Sequence, residues 1–372
     1  MPLALEKVVS QRDRERFIEL PWTLYRHDRQ WVPPLRRERY EFLNPSVNPF
    51  FKDAEVELYL ATLHGVPAGR IALTLNHSHN AFHNEKTGFF GMFESIDDSA
   101  VADLLLDCAA DWLQRKKLDT LLGPMNLSTN HECGLQVSGF DERVVFGIPY
   151  NPPYYVDLLE NWGLQKAKDL ISFYLHIKKV PDYLERIVSR IKARNRFSVR
   201  TINLKRFPEE IELLWSIYNS AWSRNWGFSP MSKDEFIYSA KEMKQIVNPS
   251  LCLIAERQGE PVGFSIALPD INQALKPLNG NLFPFGWLKF LIGLRKIDGV
   301  RCITLGVPKK FQKSGIDSVL YHETYRQLVL QKIENCEMSW ILEDNQPMLS
   351  ALERLQAHEY RRHRIYEFTP KS

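Results

Sequence analysis

A pattern that recurs at one fixed offset constrains this chain more than any other feature. Ala61, Gly65, Pro67 and Gly69 in ATLHGVPAG return 194 residues later as Ala255, Gly259, Pro261 and Gly263 in AERQGEPVG. The same offset relates Asn151 and Pro153 of NPPYYVDLLE to Asn345 and Pro347 of NQPMLSALE. One coincidence of small turn residues is cheap, but two at one offset point to a tandem duplication. A chain of 372 residues has room for two domains of that size.

Each first match reads as a β-hairpin, with alternating residues (VELYLATL and RIALTLN; SLCLIAER and FSIALPD) around a Gly-x-Pro-x-Gly turn. Each second match opens a helix. Between them, DDSAVADLLLDCAADWLQRKK and SGIDSVLYHETYRQLVLQK carry apolar residues at three- and four-residue steps and read as amphipathic helices. TGFFGMFES and GVRCITLGV before them, and DTLLGPMN and CEMSWILED after them, read as strands. The expected fold is α/β: each half is hairpin, strand, helix, strand, helix, a mixed sheet packed by helices. The halves are expected at 1–175 and 176–372, with HIKKVPDYLERIV as the junction and the second half's first strand around RFSVRTINL.

Charge separates the halves. Residues 1–175 carry 18 Lys+Arg against 24 Asp+Glu, and residues 176–372 carry 30 against 21. A basic second half suits an anionic partner such as a phosphorylated cofactor, lipid headgroups or nucleic acid. RIKARNRFSVRTINLKR has seven Lys or Arg and no acid, yet it alternates like a strand edge and holds no groove-reading motif, so no nucleic-acid partner is expected. The opening MPLALEKVVSQRDRERF shows neither a signal peptide nor an 18-residue apolar run, which points to a cytoplasmic protein. Cys108, Cys133, Cys252, Cys302 and Cys336 are odd in number and lack any CxxC, so they indicate neither a disulfide framework nor a zinc knuckle.

The chemistry concentrates where GVRCITLGV runs into VPKKFQKSGID. A buried strand ends, a proline stops the ladder, and Gln312, Lys313, Ser314 and Gly315 lead into a helix. Unpaired backbone N–H groups at a positive helix end suit a pyrophosphate, with Lys309, Lys310 and Lys313 beside it. This segment, Gln312 through Ile316, resembles the Q/R-x-x-G-x-G/A coenzyme A signature of the GNAT superfamily of N-acyltransferases. The second half looks like that fold from about residue 198 onward, and the whole chain is similar to bacterial tandem-GNAT proteins.

The resemblance implies two GNAT-like folds, an acyl-CoA or acetyl-CoA cosubstrate without metal, and transfer of the acyl group to an amine held between the halves. It also implies that the backbone of Leu305, Gly306 and Val307 holds the thioester. Two positions depart from the family pattern. Asp317 stands where the signature has Gly or Ala, and Leu352 stands where the family often carries the Tyr that protonates the departing thiolate. The first half is degenerate: its corresponding strand ends in Glu94, Ser95, Ile96, Asp97 and Asp98, whose carboxylates would repel a diphosphate. It is expected not to bind acyl-CoA.

Glu343, beside Asp344, is the best-placed base, although an outward carboxylate or a helix cap is the blander reading. Asn345 reads first as an N-cap. Tyr360 and His358, just past the helix, could supply the missing acid, with Tyr360 read equally as half-buried in the final strand. Trp222, Asn225, Trp226 and Phe228 in NSAWSRNWGFSP suit an amphiphilic acceptor or, equally, a tryptophan corner of the core. In PMNLSTNHECGLQ the density of Asn126, Ser128, Thr129, Asn130, His131, Glu132 and Cys133 suggests acceptor contact, with a self-bonded loop as the alternative and a Cys nucleophile as an outside reading. His77, His79 and His83 lack placed carboxylates, so a solvated loop is preferred to a metal site.

NLFPFGWLKFLIGLRK is the most apolar stretch and too short to span a bilayer. It reads as the lining of an acyl channel, as a segment dipping into a membrane interface, or as a buried helix between the halves. The resulting expectation is an N-acyltransferase whose sharper form uses a long acyl chain and a lipid-like amine, with peripheral contact to the inner membrane. The rival is a non-catalytic acyl-CoA-sensing or partner-binding protein.

Overall fold

The computed structural model describes residues 3–195 and 197–370. Two compact units emerge. The first runs to Ile171 and takes in Leu275–Leu291 and the chain from Tyr360 on; the second is Ser172–Ala274 with Ile292–Glu359.

In chain order the first unit begins with β1 (Ala4–Lys7), α1 (Gln11–Leu24) and α2 (Arg36–Phe42), followed by the hairpin β2 (Ala54–Leu63) and β3 (Val66–Asn76). Then come α3 (His77–His83), β4 (Thr87–Ser95), α4 (Ser99–Arg115), β5 (Thr120–Gly123), β6 (Leu135–Ser138) and α5 (Tyr155–Trp162). β7 (Gln165–His176) carries the chain into the second unit. There α6 (Asp182–Asn195), β8 (Phe197–Thr201), α7 (Phe207–Trp222) and α8 (Lys233–Lys244) precede the second hairpin, β9 (Cys252–Arg257) and β10 (Glu260–Pro269). The remaining elements are α9 (Asn272–Leu275), α10 (Gly286–Leu294), β11 (Gly299–Gly306), α11 (Ile316–Leu330), β12 (Asn335–Leu342), α12 (Gln346–Arg354) and β13 (His358–Phe368).

The two hairpins are alike in detail. Their turns are His64–Gly65 and Gln258–Gly259, all at positive φ (53° and 80°; 54° and 83°), which is the two-residue turn that matches strand twist. The Pro-x-Gly that follows is therefore the first part of the returning strand, not the turn that the sequence suggested. Gly69 and Gly263 make room for a helix. A Cβ on Gly69 would lie 2.8 Å from Leu105 of α4, and one on Gly263 would lie 3.1 Å from Ile316 of α11. Each hairpin meets its next strand across a register shift, at Arg70/Ala72 on β4 and at Ile266/Ala267 on β11.

The sheets are mixed. In the first unit the order is β1-β2-β3-β4-β5-β13, and in the second β12-β11-β10-β9-β8. β4 and β5 run parallel, as do β11 and β12. α4 shows why the helices form where the sequence expects them. Asp98 caps the Ala100 N–H, and Val101, Leu105, Leu106, Ala109, Trp112 and Leu113 recur on one face and are fully buried against the sheet. Truncating Trp112 to Ala would cost about 3–5 kcal/mol.

Three features differ from expectation. His77–His83 is the helix α3, with His79 buried, rather than a solvated loop. α10 is exposed rather than a buried helix. The C-terminal strand β13, which follows the second repeat's last helix, closes the first unit's sheet. It pairs with β5 (Tyr366 opposite Gly123) and β6 and buries Arg361, His363, Ile365 and Tyr366. The basic stretch near residue 190 forms the end of α6 and β8; its Arg196 lies outside the described residues.

Candidate active site

In the second unit β11 and β12 stay paired only from Gly299 opposite Asn335 to Cys302 opposite Met338. Beyond that point β11 continues to Gly306 and β12 to Leu342 without pairing, so the two strands splay. The splay leaves Leu305, Gly306 and Val307 with an open edge toward β12. Gly306 is closely covered on one side: a Cβ there would lie 2.4 Å from the Trp222 ring, which also packs on Phe264 at 5.9 Å.

The chain then turns through Lys309–Phe311 into α11, with Gly315 as N-cap at φ 85°. Among the described residues, the backbone N–H groups of Lys313 through Ser318 carry no hydrogen bond, whereas Gln312 N–H donates to Lys309 O and Val319 N–H to Gly315 O. Six open donors at a helix start, with Lys309, Lys310 and Lys313 exposed beside them, form a site that fits a diphosphate. The Gln312 amide donates to Val307 O at 3.3 Å and the Ser314 hydroxyl to Phe311 O, so both side chains brace the loop. Ile316 turns its side chain into the core, leaving only its N–H to the loop. On the other flank Ile191 of α6 closes over Gly315, where a Cβ would meet it at 2.6 Å. Asp317 is exposed on the first helical turn and opposes the lysines.

A cavity of about 420 Å³ lies between α11 and α12, walled by Tyr183 and Ile187 of α6. Asp317, Ser318 and Tyr321 line one side, and Gln346, Ser350 and Arg354 the other. The Tyr321 hydroxyl donates to Met348 Sδ at 2.7 Å. Burial first, and then the Asp317 charge, push its phenol well above the usual tyrosine range, so it stays protonated.

In the first unit the corresponding edge is filled. β4 pairs with β5 only from Thr87 to Phe89, while β4 runs on to Ser95. The gap is taken by the loop after β5. Met125 N–H donates to Phe90 O (2.7 Å), and the Asn126 side chain accepts from Met92 N–H (2.7 Å). This backbone lies so close that a Cβ on Gly91 would sit 1.9 Å from Met125 O.

At the end of β4, Glu94 opposes Arg70, just as Gly306 opposes Phe264 in the second unit, so the 194-residue offset makes Glu94 the counterpart of Gly306. Glu94 accepts hydrogen bonds from Tyr25, Tyr155 (2.9 Å) and Arg70 (3.3 Å), and the Tyr155 oxygen accepts from Ser95 N–H (2.9 Å). Burial raises the Glu94 pKa, while Arg70 and the two phenols pull it back.

The rest of the polar loop is self-bonded. Ser128 Oγ lies 3.0 Å from His131 Nδ1 and accepts from Asn130 N–H, and Glu132 accepts from Asn126 and Arg39. Burial opposes ionisation of Glu132, but Arg39 and Asn126 more than offset it and its pKa is lowered. The His131 imidazole packs edge-on to Phe42 and Phe50, and burial brings its pKa to about 4.

No family model matches the chain. Protein YghO of Escherichia coli (strain K12) is 36% identical over 368 residues, 96% of this chain and 93% of that one. Bacterial ceramide synthase of Caulobacter vibrioides is 36% identical over 374 residues, 98% and 97% of the two chains. The fold matches a solved tandem GNAT protein from the clavulanic acid biosynthesis pathway with a TM-score of 0.57 at 11% identity, over 100% of both chains. The chain has the fold of a tandem GNAT protein. It shares a family with both curated relatives, and a GCN5-related N-acetyltransferase from Sphaerobacter thermophilus has the same fold (TM-score 0.53, 12% identity, 100% and 97% covered).

The open splay, the N–H cluster and the lysines are all in the second unit. Glu343 is half-buried just past the end of β12, with Asp344 exposed beside it. Asn345 is the N-cap of α12, accepting from Met348 N–H at 3.3 Å. Trp222 closes α7; Asn225 is exposed in the turn that follows, and Trp226 is half-buried next to it.

Tyr360 and Asn130 belong to the first unit, apart from these residues in the division of the fold. Arg361 stands 5.5 Å from the Tyr360 ring. Leu352 is buried in the second unit's core. Tyr321 is the residue that the sequence did not single out, because it falls within the apolar periodicity of α11 and reads as core. No group of three or more potential metal ligands occurs among the described residues, and no helix there is long and apolar enough to cross a membrane.

Proposed function

We propose that the second unit binds an acyl-CoA and transfers its acyl group to a primary amine. The observation that carries this reading is the splay of β11 from β12 leading into six open N–H groups at the start of α11. The loop Lys309–Asp317 takes the diphosphate, and the edge of Leu305–Val307 takes the pantetheine arm and thioester. The amine attacks the thioester carbonyl; the C–N bond forms, the C–S bond breaks, and the thiolate leaves.

Glu343 takes the proton that the amine loses, directly or through water. Tyr321 supplies the proton to the thiolate, in the role left vacant at Leu352. Its raised pKa keeps it in the acid form at neutral pH. Trp222, Asn225 and Trp226 line the acceptor side. The first unit holds no donor, since Glu94, Tyr25 and Tyr155 occupy the corresponding edge.

The sharper reading is that the acceptor is a lipid-like amine and the acyl chain is long. The 36% identity to a bacterial ceramide synthase supports it, because ceramide formation is N-acylation of a sphingoid base. The rival is a non-catalytic acyl-CoA sensor, favoured by Asp317 at the mouth of the anion site.

Purified protein incubated with acetyl-CoA or palmitoyl-CoA and a long-chain amine, monitored for free thiol and for the amide by mass spectrometry, tests these readings. Amide from palmitoyl-CoA alone supports the lipid form, and amide from acetyl-CoA alone overturns it. Donor binding without thiol release transfers the reading to the sensor.

A further inference from the structure

The chain from Leu282 to Ile292 presents its apolar side chains outward. Phe283 is 80% exposed, Phe285 71%, and Trp287, Leu288, Leu291 and Ile292 about half. No residue of α10 is buried. The segment is also anchored. Arg36 N–H donates to Gly280 O (3.0 Å), the Arg36 guanidinium donates to Asn279 O (2.6 Å) and stacks over the Trp22 ring, and Trp287 N–H donates to Leu282 O. The apolar surface is thus built by ordered backbone bonds, not left by a loose tail. Exposure of this kind, concentrated in one short stretch, marks a surface that another phase or partner covers.

Charge decides which. From Ile271 to Ile297 there is no Asp or Glu, while Lys276, Lys289, Arg295 and Lys296 are all exposed. At nine residues α10 is about 14 Å long, less than half the hydrocarbon thickness of a bilayer, so it lies in the interface instead of crossing. Trp and Phe on the apolar side with Lys and Arg flanking them form the pattern that inserts at headgroup depth and draws in anionic lipid. A second copy docked about a two-fold axis would bring the same four cations face to face.

We infer that Phe283–Ile292 is a docking surface for an anionic lipid bilayer. Adsorption to the membrane stands independently of the acyl-transfer reading. That this surface brings the enzyme to a lipid-like acceptor rests on that reading.

The test is flotation of the full chain with vesicles of phosphatidylcholine alone and with added phosphatidylglycerol. The wild type should float with the anionic vesicles and less with the neutral ones. Trp287→Ser combined with Leu291→Ser should weaken partitioning by about tenfold or more, from the apolar area withdrawn. Lys289→Glu with Lys296→Glu should weaken it several-fold on anionic vesicles only. All four side chains are exposed, and circular dichroism checks that the variants fold.

Absence of flotation, equal flotation on both vesicle types, or flotation indifferent to the Trp287/Leu291 pair would each overturn the inference. So would a concentration-dependent dimer, abolished by Trp287→Ser, that forms in place of vesicle binding. Flotation as expected with no amide formed from any amine would sink the acyl-transfer reading and leave the docking surface standing.

Discussion

The two parallel strand pairs share one plan and end differently. In both units a parallel pair stops after three or four residues, beside a hairpin strand that carries a register shift, one or two residues apart in the two repeats. In the second unit the gap leads to Gly306, Trp222 and an open row of N–H groups. In the first it is closed by Met125 and Asn126 on β4 and by Glu94 within a cage of Tyr25, Tyr155 and Arg70. A duplicated scaffold keeps its sheet because the sheet buries the core. Its cleft can be exchanged for a polar network once that network pairs the charge it buries, as Arg70 and the two phenols do for Glu94.

The comparison can be broken most sharply by exchanging its decisive residue. Gly306→Glu places the first unit's carboxylate in the second unit, where even a Cβ meets Trp222 at 2.4 Å. It should reduce acyl-CoA affinity by roughly a hundredfold or more, measured by isothermal titration; undiminished binding would show that the donor does not use this edge. Tyr321→Phe tests the chemistry assigned to the open site. It should lower kcat about a hundredfold with little change in KM for the donor, and an equal rise in KM alone would make Tyr321 a binding residue.

Glu94→Ala tests the filled site. Removing the carboxylate strands Arg70 in a buried setting and should destabilise the protein by about 3–5 kcal/mol, while donor affinity stays unchanged. Denaturant melts together with titration separate the two outcomes. The smallest effect concerns pH. His79 and His131, both in the first unit, have pKa values lowered by burial to about 4. The unfolded chain takes up their protons below about 6.5 and the fold does not, so their contribution is complete above that pH and fades as it falls toward 4. His131→Gln should flatten that loss in melts between about pH 7 and 5, even if it lowers stability throughout; an unchanged slope would contradict it.

Much of the fold was legible because its signals are local. The turn glycines Gly65 and Gly259, the helical spacing of α4 and the cap at Asn345 each act within a few residues, and each formed as read. The strand β13 was not legible in its role, because its partners Gly123 and Gln136 lie more than two hundred residues away and nothing in RRHRIYEF names them. The loop into α11 was visible in GVRCITLGVPKKFQKSG, since a strand end, proline and glycine before a helix state their own geometry. The splay itself is an end of pairing, which no residue type encodes. The polar density of the loop after β5 was visible, but its use in filling the gap depends on contact with Phe90 and Met92 across the sheet.

The central claim is that only the second unit's cleft takes the donor. Hydrogen exchange followed by mass spectrometry, with and without acyl-CoA, tests it directly. The account predicts donor-dependent protection across Ile303–Val307 and Lys313–Tyr321, with Gly91–Asp98 unchanged. Protection of Gly91–Asp98, or none at Lys313–Tyr321 under saturating donor, would contradict it.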